Sequence, residues 1–399
     1  MTLSLKKRPK LLVGDYTVWA IFFTLCFISV IEVYSAGSYL TIKENSYFSP
    51  LFKQICYLGL AAITASVVQF IHFRYLSYLA IGGGVISIIL LFFTLFGGQN
   101  INNGARWISI GGISFQPSEL NKLCLIIYAT AFTANAQKPD GTTRQRSFLV
   151  LAPTFLSFGI IATQNLSTAL MLVVSVFSIL FIGNVPWRNF LKSLAYFSIG
   201  AVALLGAFWL YWGPNSTMTQ RFTTWGSRLE TRDERPQDPR DFVITDKNRQ
   251  VTHAHIAFAR SGVIGRGPGR SVQRDYLSAA YSDFIFAIIG EELGIFGCAF
   301  VLLLYMGLFI RTYYIAKQCT GRPPAFIVMG IGIILLIQAL ANMAVAVGLA
   351  PVTGQTLPLI SKGGTSNLIT GVYFGIILSI SHYARTCNPK EEKEKHPTT

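Results

Sequence analysis

Apolar runs of about twenty residues recur along the whole chain, the length a helix needs to cross the roughly 30 Å of hydrocarbon in a bilayer. They fall near residues 16–36, 51–71, 76–97, 118–136, 147–164, 166–183, 189–212, 284–310, 325–349 and 364–384. Ten such runs predict an all-α polytopic membrane protein of about ten transmembrane helices, organised as one membrane domain over 1–399. A chain of 399 residues would also fit two or three water-soluble domains. Only 13% of its residues are charged, however, and 52% are hydrophobic, whereas soluble domains carry about a quarter charged residues. The apolar run that follows Lys6, Lys7, Arg8 and Lys10 is too long for a signal-peptide core and reads as a first span. The connection at Gln164-Asn165-Leu166-Ser167 is so short that it requires a tight helical hairpin at the membrane surface.

Charge gives orientation. Alternate connections hold Arg74; Lys138, Arg144 and Arg146; Arg188 and Lys192; and Arg311, Lys317 and Arg322, with Arg385, Lys390, Lys393 and Lys395 at the end of the chain. The short connections on the other side hold only Lys43, Arg106 and Lys362. Cations concentrate on the cytoplasmic side, so both termini and the tail 386–399 are expected there, and the long connection 213–282 outside. The formal charge of +15 is thus spread over loops as a topology signal and an attraction for anionic lipid or pyrophosphate, which argues against a nucleic-acid partner. Cys26, Cys56, Cys124 and Cys298 fall in apolar segments, and no CxxC spacing occurs. Neither a disulfide framework nor a zinc site is expected.

The long connection changes character along its length. Its middle, Glu230 to Gln250, is charged and contains proline; Val251 to Ala259 is moderately apolar; Gly262, Gly265, Gly267 and Gly269 follow. Such a glycine run can form a backbone nest for phosphate, but a flexible turn is the favoured reading. His253 and His255 do not share a helix face, and a metal site there is not expected.

The loop ends at Asp283, and Glu291 and Glu292 follow inside an apolar segment. A carboxylate in hydrocarbon costs about 2.5–3.5 kcal/mol even on lenient scales, so three in ten residues need a reason. Asp283 reads either as a helix N-cap or as a functional acid. Topology favours the second, because it puts Asp283, Arg106 and Lys362 at one outer surface, an arrangement suited to acid/base chemistry on an anionic lipid-linked substrate. Glu291 and Glu292 are expected to face a hydrated cavity or the bundle interior, with Gly290 and Gly294 serving helix packing. Glu119 and Lys122, three apart, can pair on one helix face and hold neighbouring helices in register. Pro351, Gly354, Pro358, Gly363 and Gly364 break the connection before the last run, as non-helical backbone lining a cavity would.

In order along the chain, Asn103-Gly-Ala-Arg-Trp-Ile108, Phe115-Gln-Pro-Ser-Glu-Leu-Asn-Lys122, Asp283-Phe-Ile-Phe-Ala-Ile-Ile-Gly-Glu-Glu-Leu-Gly294 and Leu349-Ala-Pro-Val-Thr-Gly-Gln-Thr-Leu-Pro-Leu-Ile-Ser-Lys-Gly-Gly-Thr-Ser366 resemble the SEDS family, the RodA/FtsW-type peptidoglycan glycosyltransferases. The resemblance covers nearly the whole chain. It implies polymerisation of lipid II at the outer face of the bacterial inner membrane, with Asp283 taking the proton of the acceptor 4-hydroxyl. It also implies cationic support for the leaving pyrophosphate. Arg106 and Lys362 are the candidates, followed by Arg221, Arg228, Arg260 and Arg266, with Gln116, Thr365 and Ser366 as further substrate-binding residues and Glu119 with Lys122 as the intramembrane pair. A divalent cation, Mg or Mn, fits the pyrophosphate chemistry, though the sequence shows no dedicated site. The implied partners are a class B penicillin-binding protein (a transpeptidase) and other division or elongation proteins. The chain departs from the family pattern at Gln164-Asn-Leu-Ser-Thr168, at Leu277-Ser-Ala-Ala280 and at Lys362, and it leans to the division-type branch. Two other readings stay open at this point: a lipid II flippase, with a hydrated cationic path through the membrane, and a non-catalytic division scaffold in which Asp283 only caps a helix.

Overall fold

A computed structural model of the chain describes residues 13–37, 48–97, 99–101, 104–110, 113–137, 148–212, 248–277 and 280–387. Arg221, Arg228, the middle of the long loop and the residues after 387 lie outside these. Long helices occur at all ten predicted ranges: α1 (Tyr16–Ala36), α2 (Ser49–Val68), α3 (Phe73–Gly97), α4 (Pro117–Ala136), α5 (Phe148–Gln164), α6 (Leu166–Ile182), α7 (Trp187–Trp212), α9 (Ile285–Gln318), α10 (Arg322–Ala346) and α11 (Gly364–Cys387). The shorter α8 (Arg249–Ser261) lies in the second half of the long connection. Among the described residues, six helices are long and apolar enough to cross a membrane: α1, α2, α3, α9, α10 and α11.

The distribution of apolar side chains fits a bilayer rather than water. On α3, Tyr78, Val85 and Ile89 point outward and are exposed, a continuous apolar surface that a water-soluble protein would hide. Helices α4, α10 and α11 instead bury most of their length and form the centre. Close approach depends on small residues: a Cβ on Gly371 of α11 would stand 2.5 Å from the Ala61 carbonyl oxygen of α2.

Two expectations need correction. The fold is not purely α-helical, because the connection 98–117 carries a three-stranded antiparallel sheet of β1 (Gln99–Ile101), β2 (Gly104–Ile110) and β3 (Ile113–Phe115), in the order β1-β2-β3. The reason is visible in the sequence, which offers the turn-forming dipeptides Asn103-Gly104 and Gly111-Gly112 and the alternating run Ile108-Ser-Ile110. Ile108 pairs with Phe115 and Ile110 with Ile113. The run expected over 284–310 extends to Gln318 and is interrupted at Gly294, whose φ of 68° and ψ of −163° are not helical.

The ends of three helices are clasped by one carboxylate. Asp15 caps α1 through the Thr17 amide (2.9 Å) and accepts from Arg311 Nε of α9 (3.0 Å) and Arg385 Nη2 of α11 (2.9 Å). Burial works to raise the Asp15 carboxyl, but the Arg311 hydrogen bond and the charges of Arg311 and Arg385 outweigh it and hold it below its ordinary 3.8. A depressed carboxylate stabilises the fold above its unfolded pKa, and that contribution is lost as pH falls through the folded value. Asp15→Asn is expected to cost about 1–3 kcal/mol, allowing for the part-exposed arginines. The melting-temperature gap to wild type should be constant from neutral pH downward and close only below about pH 4. A gap that closes near pH 6 would contradict this assignment.

Candidate functional site

Asp283 stands at the opposite end of α9 from that clasp. The helix N-cap is Phe284, which makes no side-chain cap hydrogen bond, so Asp283 lies outside the capping position. Instead, three consecutive carbonyls are tethered. Lys362 N donates to Tyr281 O (2.9 Å), the Ser361 hydroxyl to Ser282 O (2.6 Å) and Asn342 Nδ2 to Asp283 O (2.9 Å). The Asp283 side chain is half-buried, and Lys362 Nζ sits 5.4 Å from the centre of the Tyr281 ring. The Lys362 backbone and side chain thus both meet Tyr281, two residues before the acid.

The segment carrying Lys362 is non-helical over 351–363, and its centre is deeply buried, with Leu357, Leu359 and Ile360 fully inaccessible. Buried carbonyls without partners would be costly, and each of six has one. Thr353 O accepts from Asn165 (3.4 Å), Gln355 O from Asn342 (2.7 Å) and Thr356 O from Gln338 (3.2 Å). Pro358 O accepts from Tyr305 (2.5 Å), Ile360 O from Ser29 (2.8 Å) and Ser361 O from Gln54 (3.5 Å). Leu359 is held at a φ of +64°, strain that a non-glycine residue tolerates only in an over-determined setting. Sequence reasoning missed Asn165, Gln338, Asn342 and Gln355. The signal for two of them was present: Gln338 and Asn342 are amides four residues apart on an apolar helix, hence on one face.

Glu291 and Glu292 face the bundle interior, and their partners come from the Gly-rich loop. Glu291 accepts from the Ser271 hydroxyl (2.6 Å), Gln273 N (3.0 Å) and Val272 N (3.2 Å). Glu292 accepts from Gly269 N (2.9 Å), Ser271 N (3.2 Å) and the Ser35 hydroxyl. Arg274 completes the cluster by donating to Ser35 O (3.0 Å) and Gly269 O (3.1 Å). The flexible-turn expectation is corrected here: this is a pinned loop, and four of its amides already bind internal carboxylates. A Cβ on Gly265 would meet Glu292 O at 2.3 Å, so glycine is needed for that contact and for the positive φ.

Other candidates separate. Thr365 and Ser366 lie buried in the first turn of α11, and Ser366 Oγ is 3.2 Å from Thr356 Oγ1. The backbone of Arg106 is on β2, whose neighbour β3 packs against α11. Gln116 precedes α4 and donates to Ser118 Oγ (3.0 Å). Arg260 is exposed at the end of α8, and Arg266 is exposed in the loop. His253 donates through Nδ1 to Gln273 Oε1 (2.8 Å) and stacks on Tyr276. Among the described residues, no group of three or more His, Cys, Asp or Glu could hold a metal ion.

Lys122 Nζ and Glu119 Oε1 are 2.7 Å apart, and both side chains are buried. Breaking such a pair strands a charge, so Lys122→Met is expected to cost about 3–5 kcal/mol, while Glu119→Gln combined with Lys122→Met recovers much of the loss. Thermal melts of the single and double variants in detergent check this; additive losses would remove the pair from the account.

The bundle, its acid at the head of α9 and the broken segment before its last helix define a polytopic membrane protein with a polar site at one end. The family model for FtsW, RodA and SpoVE, described as "Cell cycle protein", matches residues 15–386, and the chain belongs to this family. A relative from Aliivibrio salmonicida, named "Probable peptidoglycan glycosyltransferase FtsW", is 28% identical over 97% of this chain and 94% of its own. One of that name from Escherichia coli O6:H1 is 32% identical over 95% of this chain and 89% of its own. A solved structure described as "Structural coordination of polymerization and crosslinking by a peptidoglycan synthase complex" superposes with a TM-score of 0.69 at 25% identity, covering 93% of this chain and 98% of that one.

Proposed function

We propose that this chain is a peptidoglycan glycosyltransferase that joins lipid II units into glycan strands at the outer face of the bacterial inner membrane, in the division-type branch of its family. The relatives' names support the activity. The observation that carries the site is the tethering of the Tyr281–Asp283 carbonyls to Lys362, Ser361 and Asn342, which fixes the half-buried Asp283 next to the segment that carries Lys362. Asp283 accepts the proton of the acceptor hydroxyl as that oxygen bonds to the donor sugar carbon. The bond from that carbon to the pyrophosphate breaks, and the lipid pyrophosphate leaves with the electron pair. Lys362 and Arg106 are assigned to that negative charge, with Gln116, Thr365 and Ser366 as further substrate contacts.

The loop cations support taking the end that carries the clasp of Asp15, Arg311 and Arg385 as cytoplasmic and the Asp283 end as outward. Ten helices crossing the membrane, cytoplasmic termini and an external loop over 213–282 complete this reading. The complex in the structural neighbour's description supports a class B penicillin-binding protein as partner. The test is to give the purified chain and its cognate partner labelled lipid II in detergent. Glycan strands are expected; translocation of lipid II across vesicles without any polymer would turn the assignment to a flippase.

A further inference from the structure

We propose that Val263 and Ile264, at the tip of the Gly-rich loop, form a membrane anchor that dips into the outer leaflet and gathers anionic phospholipid. Ile264 is 80% exposed and Val263 57% exposed, although both lie outside every helix. Their position is fixed by backbone bonds to the kink of α9: Ile295 N donates to Gly262 O and Phe296 N to Val263 O (both 3.4 Å), while Arg266 N and Gly267 N donate to Glu291 O (3.0 Å) and Glu292 O (2.8 Å).

The kink also sets the depth. Above it, Ile285 to Glu292 are buried in protein; from Ile295 onward, Ile295, Phe296, Phe300 and Leu303 turn outward and are exposed. The stretch from Ile295 to Ile310, ahead of Arg311 in the clasp, supplies about 24 Å of helix at 1.5 Å per residue, most of the roughly 30 Å hydrocarbon layer. The lipid-facing surface therefore begins at Ile295, and the loop tip is bonded to that level. Arg260, Arg266 and Arg270 flank the tip, all exposed and none in an ion pair among the described residues. Apolar side chains at the hydrocarbon edge with arginines around them are what an anionic interface binds. The occupant is the phospholipid of the surrounding leaflet. The inference needs α9 to cross the membrane; it does not need Asp283 to be catalytic.

The test is a photoreactive benzoylphenylalanine at position 264 of the full chain, in nanodiscs of phosphatidylethanolamine and phosphatidylglycerol, with position 300 as the lipid-facing reference. Irradiation is expected to give lipid adducts at both positions, with phosphatidylglycerol enriched about twofold over its bulk share at 264. Replacing Arg260, Arg266 and Arg270 by Gln should remove the enrichment and leave total adduct at 264 in place. Adducts at 300 and none at 264 would overturn the anchor. So would capture of a partner protein, in place of lipid, at 264 in the co-purified complex. No adduct at either position would overturn it together with the assignment of α9 to the bilayer.

Discussion

Asp283→Asn is expected to lower lipid II polymerisation by about 10²–10⁴-fold, the range a positioned general base supplies. The substitution is close to isosteric, and Asp283 is tethered through its backbone carbonyl, so folding should be untouched and the melting temperature should match wild type. Loss of strands from a well-folded variant is the predicted result. Full activity would remove Asp283 from the chemistry and leave the polymerase to draw its base from another group. Because Asn can serve any capping role that Asp can, the experiment separates an acid that reacts from one that only holds a helix.

Glu291→Ala should produce a large loss of stability. Its carboxylate is fully buried and accepts from Ser271, Val272 and Gln273. Removal strands three donors and leaves Glu292 as the one carboxylate on the loop amides, at a cost of about 3–5 kcal/mol. The check is a thermal melt combined with limited proteolysis of residues 262–277. A large drop in melting temperature with new cleavage in the loop is expected; an unchanged melt would mean that the carboxylate is dispensable. Glu291→Gln should fall between, since its amide keeps one acceptor oxygen and turns the other acceptor into a donor.

Both predictions rest on features that were legible to different degrees. The helices could be read because hydrocarbon thickness imposes a length, and residues 16–36 emerge with the expected ends. The Glu119–Lys122 pair followed from spacing on one helix. Counting crossings placed the Asp283 and Lys362 segments at one end of the bundle, where the Tyr281 carbonyl accepts from Lys362 N. What spacing could not give is contact between distant segments. Gln355 bonds to Thr168 across 187 residues and Asn165 to Thr353 across 188, and nothing local announces either. The sheet was missed because a short alternating run between spans was read only as a connection. The Gly-rich loop was read as loose because its glycines were visible, whereas the carboxylates that occupy its amides lie 18 to 23 residues further on.

The broken segment before α11 has a mechanical consequence. Its carbonyls are gripped by side chains from α1, α2, α9 and α10 and by the cap of α6, and Lys362 and the Asp283 tether hang from the same stretch. It works as a hub with single hydrogen bonds as spokes. Tilting any one of these helices would pull on the segments that carry Asp283 and Lys362, so force applied at the side of the bundle would arrive as a change of geometry at its end.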